Sequence, residues 1–126
     1  MSEAGRFWEV AETARDLGHI NQAVSNAVLA VIAANDAVCL FLASKRPAGD
    51  SHAAAARALQ DACKGTEWEQ EGAQRSRQLV EMLRQKSVAQ YEGKPMGSDV
   101  AERVMKQARR FLEWASRVLP PQAAAG

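Results

Sequence analysis

Residues 20–44 read INQAVSNAVLAVIAANDAVCLFLAS, and this run decides the kind of fold that the chain adopts. Its apolar residues fall on nearly every face of a helix, with small alanines between the larger side chains. A helix that is apolar all round has to be covered by other elements. Its most apolar segment, Ala27 to Ala43, is interrupted by Asn35 and Asp36 and falls short of the roughly 20 apolar residues that span a bilayer. We therefore expect the central helix of a soluble, cytoplasmic protein that does not enter a membrane.

The segments on either side of this run are also helical in pattern, and none alternates between apolar and polar residues as a strand does. The patterns predict further helices over residues 7–17, 51–63, 66–91 and 98–119. Ser51 and Ser98 stand where N-caps are expected, and Thr66 with Glu69 has the spacing of a capping box. All four prolines fall where helices are expected to end, so the sequence predicts an all-α chain.

The short connections between these helices favour antiparallel neighbours. The predicted fold is an up-and-down bundle of four long helices plus a short additional helix. A chain of 126 residues forms one domain of this kind, with an ordered core over about residues 6–119 and a flexible tail over 120–126. Cys39 and Cys63 lack the spacing of metal ligands and are too few for a disulfide scaffold, so we expect reduced, structural thiols and neither a metal nor a cofactor.

Charge is distributed unevenly along the chain. Residues 1–74 contain 6 Lys or Arg and 10 Asp or Glu, whereas residues 75–126 contain 10 and 5, so a net charge of −4 is followed by one of +5. A basic region of this kind attracts phosphates or an acidic surface over roughly 8 Å at physiological salt. The alternative is an ordinary solvated helix face.

Residues 83–91, LRQKSVAQY, place Arg84 seven residues before Tyr91 at the end of a helical pattern. Three other segments accompany this one: the small-residue run at 25–34, Ser51-His52 before the third helix, and Ala108-Arg109-Arg110-Phe111 in the last. In this order and spacing the segments resemble the HEPN family of small helical domains over about residues 20–119. The resemblance implies a HEPN-like helical bundle, a homodimer, and in toxin–antitoxin pairs a nucleotidyltransferase-like protein partner.

Many HEPN proteins are metal-independent RNases that carry an Arg, a polar residue and, four to six intervening residues after the Arg, a His. Here Arg84 is followed by Gln85, but Ala89, Gln90 and Tyr91 occupy the positions of the histidine. Histidine carries protons near neutral pH, whereas arginine binds phosphate. Because the cation remains without its proton carrier, the resemblance implies a module that is not an enzyme.

The candidate catalytic residues are Arg84, Tyr91 and His52. Their alternative roles are an ion pair with Glu81 for Arg84, a core position for Tyr91, and a capping or solvent role for His52. The candidate phosphate-binding residues are Arg84, Lys86, Arg103, Lys106 and Arg110.

Three functions remain open at this point. The first is a non-catalytic HEPN-like module that binds a nucleotide, RNA or a protein partner. The second is a metal-independent, toxin-like RNase that uses Arg84, with Tyr91 as a positioning group and His52 or a residue of a second subunit as the proton carrier. The third is a purely structural dimerisation or interaction protein.

Overall fold

The computed structural model describes residues 2–49, 51–91 and 96–121, without the side chains of Ser2, Gln90 and Tyr91. Within these residues the chain is all-α and has no strand, which confirms the predicted fold class. The helices are α1 (Ser2–Asp16), α2 (Ile20–Ala43), α3 (His52–Cys63), α4 (Glu69–Tyr91) and α5 (Ser98–Val118). The tail predicted at 120–126 and the break predicted at 93–97 lie largely outside the described residues.

Helix α2 is the centre of the bundle, as its composition predicts, and it contacts each of the other four helices. Besides Cys39, its fully buried residues are valines and alanines, namely Ala23, Val24, Ala27, Val28, Ala30, Val31, Ala34 and Val38. By length and composition alone, α2 is also apolar enough to cross a membrane. The core helices of soluble proteins meet the same criterion, and 44 % of its most apolar window is buried inside this protein.

Helix α1 starts at Ser2, five residues before the predicted start at residue 7. The side chain of Ala4 in this first turn is buried in the core, which explains why the helix extends so far toward the N-terminus. The prediction of Ser98 as an N-cap is wrong, because Ser98 is the first residue of α5 and Gly97 occupies the cap position without a side-chain hydrogen bond. Ser51 does cap α3, since its Oγ accepts a hydrogen bond from the Ala54 backbone N–H at 2.9 Å.

The turn between α3 and α4 is closed by the residues of the predicted capping box. Thr66 Oγ1 accepts from the Trp68 backbone N–H at 3.0 Å, and Glu69 Oε1 accepts from the Gly65 backbone N–H at 2.7 Å. These bonds satisfy amide groups that precede α4, so the helix starts at Glu69 rather than at residue 66. Trp68, in the same turn, packs edge-on against Trp114 of α5 with ring centroids 6.5 Å apart.

Helices α3 and α4 form an antiparallel hairpin whose close contact depends on Gly72. A Cβ atom built on Gly72 would lie 2.5 Å from Cys63 Sγ and 2.6 Å from Cys63 Cβ. Real Cβ atoms do not approach other heavy atoms so closely. The contact also fixes the register of the two helices, because it places the last residue of α3 beside the fourth residue of α4.

Asn21, near the start of α2, connects that helix to the end of α4 and the start of α5. Its Nδ2 donates to the Ala89 carbonyl oxygen at 3.2 Å, and its Oδ1 accepts from the Met96 backbone N–H at 2.9 Å. One side chain thus satisfies backbone groups on both sides of the α4–α5 connection, which are far from Asn21 in sequence.

We expect Gly72→Ala to lower the free energy of unfolding by about 1–3 kcal/mol, because α3 and α4 have to separate to admit the new methyl group. Urea unfolding followed by circular dichroism measures the change. The control is Gly5→Ala in α1, where a Cβ meets no atom within 4 Å. That substitution should stabilise the protein by roughly 0.5–1 kcal/mol through helix propensity, and equal effects at both sites would contradict the close contact.

We expect Asn21→Ala to cost about 1–3 kcal/mol of stability, because the Met96 N–H and the Ala89 carbonyl lose their hydrogen bonds to Asn21. The matched control is Asn26→Ala, since Asn26 bonds only the Gln22 carbonyl of its own helix. This control should change stability by no more than about 0.5 kcal/mol. A loss at position 21 no larger than that at position 26 would show that the connection does not depend on Asn21.

Candidate functional site

Arg84, the arginine of the family-like motif, lies on the outer surface of α4. Its Nη1 forms an ion pair with Glu81 Oε2 at 3.3 Å, and the Arg84 side chain is 65 % exposed. Gln85 donates to the other oxygen of the same carboxylate at 3.2 Å. Exposed pairs of this kind contribute about 0.2–1 kcal/mol, so a phosphate can replace Glu81 at small cost.

Among the positions where the family carries its histidine, the structure describes one side chain, and that side chain cannot carry a proton. The Ala89 side chain is buried, and the side chains of Gln90 and Tyr91 lie outside the described part of the structure. Ser87 is one turn from Arg84, but its hydroxyl donates to the Leu83 carbonyl oxygen of its own helix at 3.4 Å. The motif segment therefore presents a cation and, among its described side chains, no general base.

His52 is the first residue of α3 and is half-buried. The hairpin pairs residue 63 with residue 72, so equal rises of 1.5 Å per residue along the two antiparallel helices bring His52 level with Leu83. His52 therefore lies one residue from the level of Arg84. No hydrogen bond or ion pair joins these two side chains, both of which the structure describes.

The candidate phosphate-binding residues of α5 form a row that we call the basic face: Arg103, Lys106 and Arg110. All three are exposed, and none forms a hydrogen bond or ion pair in the ranges that the structure covers. Steps of three and four residues put them on one side of the helix, about 4.5 and 6 Å apart along its axis. Lys86 of α4, the remaining candidate, is half-buried and does not belong to this row.

Two further arginines of α5 are paired with carboxylates, unlike the cations of the basic face. Arg109 pairs with Glu113 at 3.8 Å on the same helix. Arg117 donates to Glu71 Oε2 of α4 at 2.9 Å, and Arg75 donates to the same oxygen at 3.3 Å. The bond between Arg117 and Glu71 joins the last turn of α5 to the first turn of α4 and shows that these helices are antiparallel.

Polar side chains lie along the boundary between α4 and α5. Besides Glu71, they include Arg75, whose Nη1 donates to Gln78 Oε1 at 3.0 Å. Buried Arg75 Nε and Gln107 Oε1 have no hydrogen-bond partner among the described atoms. Gln107 precedes Arg110 by one turn, so an amide oxygen and guanidinium groups lie side by side along this edge of α5.

The two cysteines are not candidate nucleophiles. Burial raises the pKa of the Cys39 thiol to about 12, with further contributions from Cys63 and Asp36, and burial raises the pKa of Cys63 to about 11. Both thiols therefore remain protonated near neutral pH. Across the described residues, no group of three or more His, Cys, Asp or Glu side chains could hold a metal ion.

The exposed apolar side chains lie on the hairpin of α1 and α2. Four large apolar residues of the described chain are between 47 % and 68 % exposed: Val10, Leu17, Leu40 and Phe41. A groove of about 570 Å³ brings Val10 and Leu17 together with Gln22 of α2. Leu29 and Leu40 share the stripe of Gln22 on α2 because they follow it by 7 and 18 residues. We call Val10, Leu17, Leu29 and Leu40 the hairpin face.

Sequence reasoning did not find the pairing of Arg117 with Glu71 or the apolar groove. The groove had a signal in the sequence, since Val10 and Leu17 are seven residues apart on one side of α1. The ion pair had none, because its partners are 46 residues apart. No protein-family model matches the chain, and neither a curated protein nor a solved structure matches it.

Proposed function

We propose that this protein is a HEPN-like, non-catalytic module that binds the phosphate backbone of RNA through the basic face of α5. The observation that carries the proposal is the state of Arg103, Lys106 and Arg110, which are exposed and unpaired in the described structure while Arg109 and Arg117 are neutralised. Cations without carboxylate partners can release counterions from a polyanion without breaking existing ion pairs. A row of this kind gives affinity that depends little on base sequence.

The lack of a proton carrier among the described side chains of the motif supports a binding role over cleavage. RNA cleavage without a metal needs a group that accepts a proton from the attacking hydroxyl as well as a cation for the phosphate. In the described part of the motif, only the cation is present. Arg84 is exposed on α4, so it can bind a phosphate of its own, apart from the basic face.

A metal-independent RNase is the second candidate function, and the position of His52 favours it. The register of α3 against α4 brings this histidine level with the residue before Arg84, although the two side chains do not bond. A bound phosphate between them would contact both a cation and an imidazole. In this case Arg84 is the residue on which cleavage depends.

We also propose that the protein is a homodimer that forms through the hairpin face. Apolar side chains that are about half exposed favour association, and α1, α2 and the turn between them carry all of the large ones in the described chain. Pairing of two copies by a two-fold axis would bring each hairpin face against the same surface of its partner. A protein of another kind, such as a nucleotidyltransferase-like partner, is the alternative occupant.

For RNA binding, we expect Arg103→Gln/Arg110→Gln to weaken retention of a single-stranded RNA about tenfold or more at low salt. The slope of log affinity against log salt should fall by about 2, because two phosphate contacts are lost. Fluorescence anisotropy at several salt concentrations measures both quantities.

The matched control, Arg6→Gln/Arg77→Gln, removes the same charge from exposed sites outside the basic face and should leave most of the binding intact. If both double variants lose the same RNA affinity, the loss reflects net charge alone, which would contradict the proposed site. The same samples, run on a denaturing gel beside Arg84→Ala, report cleavage. If the native protein cleaves the RNA and Arg84→Ala does not, the protein is a nuclease and the proposal of a non-catalytic binding module is wrong.

For association, we expect sedimentation velocity to give a dimer for the native protein and a monomer for Leu17→Glu. The Leu17 side chain is 68 % exposed, so this substitution adds a charge to the hairpin face without disturbing the core. Gln74→Glu, at an exposed position of α4, is the control and should remain dimeric. A native protein that sediments as a monomer at every concentration would exclude the homodimer.

A further inference from the structure

A pocket of about 470 Å³ lies at the corner where α2 ends and α3 begins. This volume is in the range of pockets that hold small organic ligands. We call it the corner pocket, and its lining comes from the end of α2, the turn that follows and one side of α3: Cys39, Ala43, Lys45, Arg46, Ala48, Ala54, Arg57, Ala58, Asp61 and Ala62.

The charged groups of the corner pocket are mostly cationic. Lys45, Arg46 and Arg57 are exposed and have no hydrogen bond or ion pair within the described ranges. Asp61 is the one carboxylate of the lining, and it is already paired with Lys64 at 3.6 Å. Two described carboxylates lie near these cations, since Asp61 pairs with Lys64 and Asp36 of α2 acts electrostatically on Arg46. The three cations of the pocket therefore outnumber its lining carboxylate, Asp61.

The remaining surface of the pocket is small and apolar. Five of the lining residues are alanines, and Cys39 adds a buried thiol. Because burial raises the pKa of Cys39 to about 12, this thiol adds no negative charge near neutral pH. The lining contains no aromatic ring on which a nucleobase could stack, so its walls suit a short hydrocarbon chain.

Two helix ends order the backbone that carries these cations. Ser44, with φ at 59°, turns the chain at the end of α2, and its backbone N–H donates to the Leu40 carbonyl oxygen at 2.9 Å. Lys45 and Arg46 follow directly, while Arg57 projects from the second turn of α3, whose first turn is capped by Ser51. The partial positive charge at the N-terminus of α3 adds to the positive charge of these side chains. Because this backbone is already ordered, it loses little conformational entropy when a ligand binds.

We propose that the corner pocket binds a small aliphatic anion, whose carboxylate or phosphate group meets Lys45, Arg46 and Arg57 and whose hydrocarbon chain lies against the alanines. Carboxylates and phosphates share the geometry that guanidinium groups recognise with two parallel hydrogen bonds. The site is separate from the basic face of α5 and does not depend on the function proposed above. Its ligand is a small molecule, whereas the basic face suits a polymer.

The test is a titration of the ¹⁵N-labelled protein with octanoate and, in parallel, with octyl phosphate, followed by amide chemical shifts. We expect at least one of the two anions to cause saturable chemical-shift changes that are confined to residues 39–48 and 54–62. The anion that binds more tightly identifies the preferred head group. Octanol, which has the same chain without a charge, and acetate, which has the charge without the chain, should each bind at least tenfold more weakly.

Arg46→Gln/Arg57→Gln should weaken binding of the anion at least tenfold, because two charge-assisted contacts are lost. Both side chains are exposed, so the fold should be retained, which circular dichroism verifies. The control is again Arg6→Gln/Arg77→Gln, which should bind like the native protein. Octanol binding as strongly as the anions, shifts outside the pocket, or unchanged affinity in the Arg46→Gln/Arg57→Gln protein would each overturn the proposal. RNA retention in that protein should be unchanged, so the two proposals can fail separately.

Discussion

The need to cover α2 on every side is the constraint on which the rest of the structure depends. Eight of its valines and alanines are fully buried, and four different helices are needed to bury them. Helix α1 covers its side of α2 with alanines, since its buried residues are Ala4, Ala11 and Ala14. Small residues let two helices approach closely and exclude water with little side-chain volume. Val10 of α1 and Leu17 of the turn that follows it remain exposed, and they form part of the hairpin face.

The same constraint separates α4 from α5. Both helices pack against α2, and they touch each other less than either touches α2. Glu71 and its two arginines form an ion-pair cluster that joins them. This carboxylate neutralises Arg117, while Arg103, Lys106 and Arg110 form no hydrogen bond or ion pair in the described ranges. Ion pairing at this edge of the bundle therefore decides which cations can reach a phosphate.

Three surfaces of different chemistry result from this arrangement. The basic face belongs to α5, the hairpin face to α1 and α2, and the corner pocket to the junction of α2 with α3. They use different residues, so one can be occupied without blocking another. Metal-independent cleavage of RNA would require, in addition, an acid or base close to a cation. His52 and Arg84 are at similar heights on neighbouring helices, and they are the described pair that comes nearest to this requirement.

The amino-acid sequence by itself determined the helices, the central place of α2, the Ser51 cap and the position of the basic residues on one side of α5. Each of these follows from periodicity or local chemistry within a single segment. The sequence also placed Thr66 and Glu69 at the start of α4, although the helix begins three residues later because their hydrogen bonds close the preceding turn.

Only the tertiary structure decided which cations are neutralised, how Asn21 joins α2 to the α4–α5 connection, and how residues 39–62 enclose a pocket. These features depend on the register between helices, and the periodicity of one helix contains no information on its neighbour's position along the axis. Gly72 illustrates the difference, since a glycine inside a helix looks unfavourable by propensity. Its place beside Cys63 gives it a role, and that place exists only when α3 and α4 are packed together.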